Sequence, residues 1–219
     1  GVDRAAMVNG GATATRFGDR TRTWSEFRDR VARLAAGIQG LGIGPGDRVA
    51  MLAQNCDRYL EWFFAVPWAG AAFVPVNTRL APPEVAYWLN DSGSSVLFID
   101  DDFLPMLAPL AGKLETVRQT VYVGDGATPD GLLHFEALIE ANHPVADAGR
   151  RDEDLAGLFY TGGTTGVSKG VMLSHANLVV NALNVIPVMA FDRHTNWLHA
   201  APMFHLADGT ATFAVTMLG

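Results

Sequence analysis

The stretch Tyr160–Val171, "YTGGTTGVSKGV", concentrates Gly162, Gly163 and Gly166, the hydroxyls of Thr161, Thr164, Thr165 and Ser168, and Lys169. Gly and Thr both resist helix formation, so the run is a loop. Its glycines let the backbone turn tightly and approach an anion with successive N–H groups pointing inward. Hydroxyls can donate to phosphate oxygens or ligate Mg²⁺, and Lys169 adds a compact charge for a phosphate tail. A plain surface turn needs one or two glycines, without this density of hydroxyls and a lysine. The run is no Walker A loop, because Ser168 precedes Lys169 and Gly170 follows it where that motif needs G-K-[ST]. "GLGIGPGD" contains no G-x-G-x-x-G register and follows a helix, so it is a helix stop and turn.

Other reactive side chains carry weaker signals. His194 and His199 are five residues apart and His199 and His205 six, spacings that fit neither a helical zinc pair nor a finger. His175 follows Ser174 and reads as a turn or helix-start residue rather than a metal ligand. Cys56 is the single cysteine, which excludes a disulfide framework and reads as an incidental thiol in a reducing compartment. The acidic runs Asp100–Asp102 and Asp152–Asp154 lack a calcium-loop pattern and read as solvated loop residues.

The elements that must position these groups alternate along the chain. "ATRFGDRTRTW" reads as a hairpin, and Thr23 with Glu26 forms a capping box. Phe27, Val31, Leu34, Ile38 and Leu41 then mark the inner face of a helix. Short apolar strands in "RVAMLA", "AAFVPV", "SVLFID" and "TVYV" alternate with helices over Tyr59–Trp68, "PPEVAYWLNDSG" and "HFEALIEA". Such alternation predicts an α/β fold with a mostly parallel sheet covered on both faces. The polar segment at 142–154 is the candidate subdomain boundary or surface linker. "LAGLFYT" and "GVMLS" are strands on either side of the glycine-rich loop, with a helix from about Ala176.

Bulk properties narrow the function. The 219 residues are 49% hydrophobic and 18% charged, a globular balance, with a net charge of -7. Sixteen scattered Lys and Arg assemble no basic face for nucleic acid. Val171–Phe191 is broken by polar residues and Pro187, so no transmembrane segment is expected. The N-terminus carries no signal pattern, and the cytoplasm is the expected compartment. "HLADGTATFAVTMLG" is an apolar run without a cap or polar tail, which reads as an exposed end and Gly219 as a truncation point.

"YTGGTTGVSKGVMLSHANL" closely resembles the signature loop of the adenylate-forming enzymes, whose usual form is Tyr-Thr-Ser-Gly-Thr-Thr-Gly-x-Pro-Lys-Gly. Gly162 replaces the serine and Ser168 the proline, and the Gly-Gly form resembles that of bacterial fatty-acid–CoA ligases. "TWSEFRDRVARLAAGIQGLGIGPGDRVAMLAQN" and "FFAVPWAGAAFVPVNTRLAPPEVAYWLNDSGSSVLF" are similar to the family's fold-building blocks, and "APMFHLADG" to its acyl-site motif. The resemblance implies that residues 1–219 are the N-terminal part of an AMP-binding (adenylation) domain. It implies ATP-dependent activation of a carboxylic acid, medium- or long-chain fatty acids foremost, to acyl-adenylate and then, with coenzyme A, to the thioester. It further implies that residues 161–166, Ser168 and Lys169 hold ATP, with Thr164 on Mg²⁺ and Lys169 on the leaving phosphates. Phe204 and His205 would then shape the acyl pocket. Later motifs of the family are absent, so the chain alone is expected to be unable to complete adenylation. An aryl- or amino-acid-activating enzyme and a non-catalytic nucleotide-binding module are the alternatives, and a homodimer stays open.

Overall fold

A computed structural model of the chain describes residues 1–161 and 167–219. Helix α1 (Val2–Asn9) precedes an antiparallel hairpin of β1 (Thr13–Phe17) and β2 (Arg20–Thr23). Helix α2 (Trp24–Gly40) starts on the expected capping box: Glu26 N–H donates to Thr23 Oγ1 at 3.3 Å, and Thr23 N–H to Glu26 Oε2 at 2.7 Å. Its buried face carries Phe27, Val31, Leu34 and Ile38.

The alternation continues through β3 (Arg48–Leu52), α3 (Asp57–Trp68), β4 (Ala72–Pro75), α4 (Pro82–Ser92) and β5 (Ser94–Ile99). A 3₁₀ turn (Asp101–Met106) and the short α5 (Leu107–Leu110) lead to β6 (Gln119–Tyr122), β7 (Leu133–His134) and α6 (Phe135–Glu140). The chain then forms β8 (Leu155–Thr161), β9 (Lys169–Ser174), α7 (His175–Val188) and α8 (Leu206–Leu218). Among the described residues the main sheet runs β7-β6-β5-β3-β4-β8-β9, parallel from β7 to β8, with β9 antiparallel at one edge.

Two apolar layers follow from the period-two alternation of buried strands. Val96 and Phe98 of β5 face the layer of α2, α3 and α6, while Leu97 and Ile99 face α4 and α5. Gly157 on β8 pairs with Phe73 on β4, where a Cβ would come within 2.2 Å of the Phe73 ring. The glycine therefore lets that ring cross the strand and pack edge-on against Phe63 and Phe159.

Two sequence expectations are corrected here. The terminal apolar run is no exposed end, since it forms α8 and packs its Phe213 against Phe63, Phe64 and Phe73. Arg4 of α1 donates to the carbonyls of Met217 at 2.8 Å and Leu218 at 3.1 Å, satisfying acceptors that the last helical turn leaves open. Nor are Asp100–Asp102 merely solvated. Asp100 Oδ2 accepts from Gln54 N–H at 2.6 Å, Asp102 from the Gln54 amide at 3.1 Å, and Asp101 from the Tyr122 hydroxyl. The run leaves the end of β5, between β3 and β6, and ties those strand ends together. Residues 142–154 are irregular and stitched to the helices beneath, with Trp68 Nε1–H donating to Val145 O at 2.9 Å and Ala148 N–H to Trp68 O at 3.0 Å.

Candidate functional site

The glycine-rich loop is gripped by paired strands. Tyr160 pairs with Gly170 and Thr161 with Lys169 across β8 and β9. The loop thus leaves from the carboxyl end of β8, the edge at which parallel α/β sheets bind ligands. Gly162, Gly163, Thr164, Thr165 and Gly166 lie outside the described residues. Of the remaining loop positions, Thr161 and Lys169 are exposed and Ser168 is half-buried. Thr161 Oγ1 donates to Lys169 O at 3.5 Å.

Helix α4 holds both flanks of the loop. The Tyr160 ring stacks on Trp88, centroids 4.5 Å apart and planes 20° from parallel, and its hydroxyl donates to Asp91 Oδ2 at 2.6 Å. Partial burial and the Asp91 carboxylate push the Tyr160 phenol well above its ordinary range, so it stays protonated and serves as a donor. The Tyr87 hydroxyl donates to Ser168 O at 3.2 Å. Tyr87 and Asp91 are four apart on one helix face, a spacing visible in the sequence, yet nothing local says which strand that face meets.

Phe204 and His205 sit together at the start of α8, ring centroids 4.8 Å apart, with Phe204 buried and His205 exposed. The segment before them is pinned to the end of β3 by Asn55. Its amide donates to His199 O at 2.8 Å and Ala201 O at 2.7 Å, and its Oδ1 accepts from Met203 N–H at 2.8 Å. Loop flanks and aromatic–histidine pair are therefore both mounted on carboxyl ends of parallel strands, β8 and β3. Cys56 precedes α3, and burial pushes its thiol up to about 12, which leaves it protonated at neutral pH. His175 opens α7 as expected, while Ser174 caps the helix by accepting from Asn177 N–H at 3.2 Å.

The sequence model described as "AMP-binding enzyme" matches residues 2–219. The chain belongs to that family. Within it, a long-chain-fatty-acid–CoA ligase of Thermus thermophilus is 40% identical over 200 residues, covering 90% of this chain and 36% of the relative. A feruloyl-CoA synthase of an Amycolatopsis species is also 40% identical, over 93% of this chain and 38% of the relative. The solved structure of an anthranilate CoA ligase in complex with anthranoyl-AMP superposes with a TM-score of 0.94 at 27% identity, covering 100% of this chain and 42% of that one. The chain thus spans under two-fifths of the length of these two curated relatives, and its α/β fold with a mostly parallel sheet is that of the amino-terminal domain of adenylate-forming enzymes.

Proposed function

We propose that this chain supplies the ATP-phosphate loop and part of the acyl site of an AMP-forming acid–thiol ligase. In that reaction a carboxylate oxygen attacks the α-phosphorus of ATP and pyrophosphate leaves. The thiol of coenzyme A then attacks the acyl carbonyl, and AMP leaves. The protein's task in the first step is positioning and neutralising charge on the leaving phosphates.

The observation that carries this reading is the β8–β9 hairpin, which presents the loop ends Thr161 and Lys169 side by side at the carboxyl end of β8. Backbone amides of residues 162–166 and the hydroxyls of Thr161, Thr165 and Ser168 would hold phosphate oxygens. Thr164 would offer Mg²⁺ a hydroxyl oxygen, the ligand type a hard cation takes. Lys169 would follow the leaving phosphates, and Phe204 with His205 would shape the acyl pocket. Residues 1–219 are read as the front part of the adenylation domain, with a subdomain division near 142–154, in a cytoplasmic enzyme.

Medium- or long-chain fatty acids are the proposed acids, in keeping with the Thermus relative. An aryl acid is the second reading, favoured by the equal identity to a feruloyl-CoA synthase and by the likeness to an anthranilate CoA ligase.

Titration of the chain with ATP and Mg²⁺ tests the loop. Lys169→Ala is expected to weaken binding about tenfold or more, the scale of one charge-assisted contact. Its melting temperature should hold, because Lys169 is exposed. Equal ATP affinity in the two proteins would remove Lys169 from the site.

A further inference from the structure

Strand β9 ends the sheet among the described residues, so β8 alone holds it by a ladder. That ladder stops at the Thr161–Lys169 pair, and Ser168 lies just outside it. Val167 and Lys169 on either side of Ser168 are exposed, so packing supplies little restraint there. In the usual form of the motif a proline at this position fixes φ covalently. Serine leaves both φ and ψ free, and the peptide that joins Ser168 to Lys169 then needs a restraint from outside the strand. Helix α4 supplies it: the Tyr87 hydroxyl donates to Ser168 O at 3.2 Å. Because the peptide is planar, holding its oxygen also orients the N–H and the Cα of Lys169.

The helix that carries Tyr87 is a firm mount. Pro82 and Pro83 open it, Glu84 Oε2 accepts from Ala81 N–H at 2.9 Å, and Gly93 closes it at φ 64°. Val85 and Leu89 are fully buried and fasten it to the sheet, while Tyr87 stands at the surface. Desolvation and the Asp91 carboxylate raise the Tyr87 phenol above its ordinary value of 10, so at neutral pH the hydroxyl keeps its proton and donates. A contact made from a rigid helix fixes its partner more closely than one made from a second loop.

We propose that Tyr87 is a positioning residue for Lys169: by holding the Ser168 carbonyl it sets the peptide from which the Lys169 side chain reaches the leaving phosphates of ATP. This rests on the reading of the glycine-rich loop as a phosphate site. Lysine is among the side chains that lose most freedom when ordered. A backbone already in the bound orientation leaves only that side chain to be ordered when ATP arrives, and such preorganisation appears directly as affinity. Without the Tyr87 hydroxyl the peptide too must be ordered on binding.

The test titrates ATP with Mg²⁺ into four forms of the 219-residue chain: wild type, Tyr87→Phe, Lys169→Ala and the double variant. Tyr87→Phe loses only the hydroxyl and is expected to bind ATP about three- to tenfold more weakly, the scale of one neutral hydrogen bond. Its melting temperature should hold, because the lost group is at the surface. A residue that acts through Lys169 has nothing left to position once that side chain is gone. On the Lys169→Ala background the same change should therefore weaken binding less than about twofold. If Tyr87→Phe binds like wild type while Lys169→Ala binds more weakly, the proposal is overturned and the phosphate-site reading stands. A loss of equal size on both backgrounds also overturns it, because Tyr87 would then support the loop as a whole. No ATP binding by a chain that melts cooperatively, or equal affinity in wild type and Lys169→Ala, overturns the proposal together with the role of Lys169 on which it rests.

Discussion

Trp88 lies beneath Tyr160, one residue before the loop flank Thr161, and couples the loop to a helix that never touches it in sequence. An aromatic stack of this kind contributes about 0.5–1.5 kcal/mol beyond the area it buries. Trp88→Leu removes the stack but keeps an apolar side chain under the strand. If the stack fixes the angle at which β8 delivers the loop, this variant is expected to bind ATP and Mg²⁺ about three- to tenfold more weakly. Trp88→Phe, which restores a ring, should stay within about twofold of wild type. ATP titration with a parallel thermal melt separates the outcomes: a lowered melting temperature with unchanged ATP affinity would make Trp88 a core residue and nothing more. The contrast with Lys169 is informative. Lysine, threonines and glycines announce phosphate chemistry by type alone, whereas Tyr87, Trp88 and Asp91 acquire their part only because β4 and β8 are neighbours in the sheet.

Helix α7 shows how an element's position sets the titration of a residue on it. His175 occupies the first helical position, where the positive end of the helix dipole disfavours a second positive charge. Its Nε2 is buried without a hydrogen-bond partner among the described residues, and burial holds the imidazole below its ordinary value of 6.5. The unfolded chain therefore takes up the proton first as pH falls. Stability contributed by neutral His175 is complete above pH 6.5 and is lost as pH drops from there toward the lowered folded value. Urea midpoints measured from pH 7.5 to 5 should fall less in His175→Asn than in wild type, and parallel curves would assign the acid sensitivity elsewhere. Elements coded by local chemistry were legible in the sequence: the hairpin turn, the Thr23–Glu26 box and the helix that starts at His175. Those missed are short or depend on distant partners. Helix α1 buries only Val2 and Ala5, β7 has two residues, and α8 reads as a bare apolar end because, besides α7, its cover comes from α1 and from Phe63 and Phe64 of α3, far away in sequence.

A charged network fastens the helices of one layer to each other, to the hairpin and to the end of β6. Arg30 of α2 makes a bidentate pair with Glu61 of α3 at 2.6 and 2.9 Å and reaches Glu136 of α6 at 3.0 Å. Arg58 of α3 binds the same Glu136 at 2.7 Å and the Val123 carbonyl at 2.6 Å, while Arg20 of the hairpin grips Asp57 at 2.8 and 2.9 Å. Glu61 is 1% exposed, and its burial pushes its carboxyl above the ordinary value of 4.5 while Arg30 pulls the other way. Removing one partner strands the other, so Arg30→Met is expected to lose about 3–5 kcal/mol in urea unfolding at pH 7. Glu136 retains Arg58 in that variant, so the loss falls chiefly on Glu61. Arg30→Met combined with Glu61→Leu replaces the pair by apolar side chains and should recover most of the stability. The pH dependence follows the same logic. A carboxyl whose folded value is raised contributes full stability below its unfolded value of 4.5 and loses it as pH rises through the folded one. With Arg30 gone that rise is larger, so the gap between single and double variants should be wide at pH 7 and narrow toward pH 5 as Glu61 takes up a proton. A gap that is constant across that range would place the cost of Arg30→Met in lost packing, and the network would then tie α2, α3 and α6 by shape instead of charge.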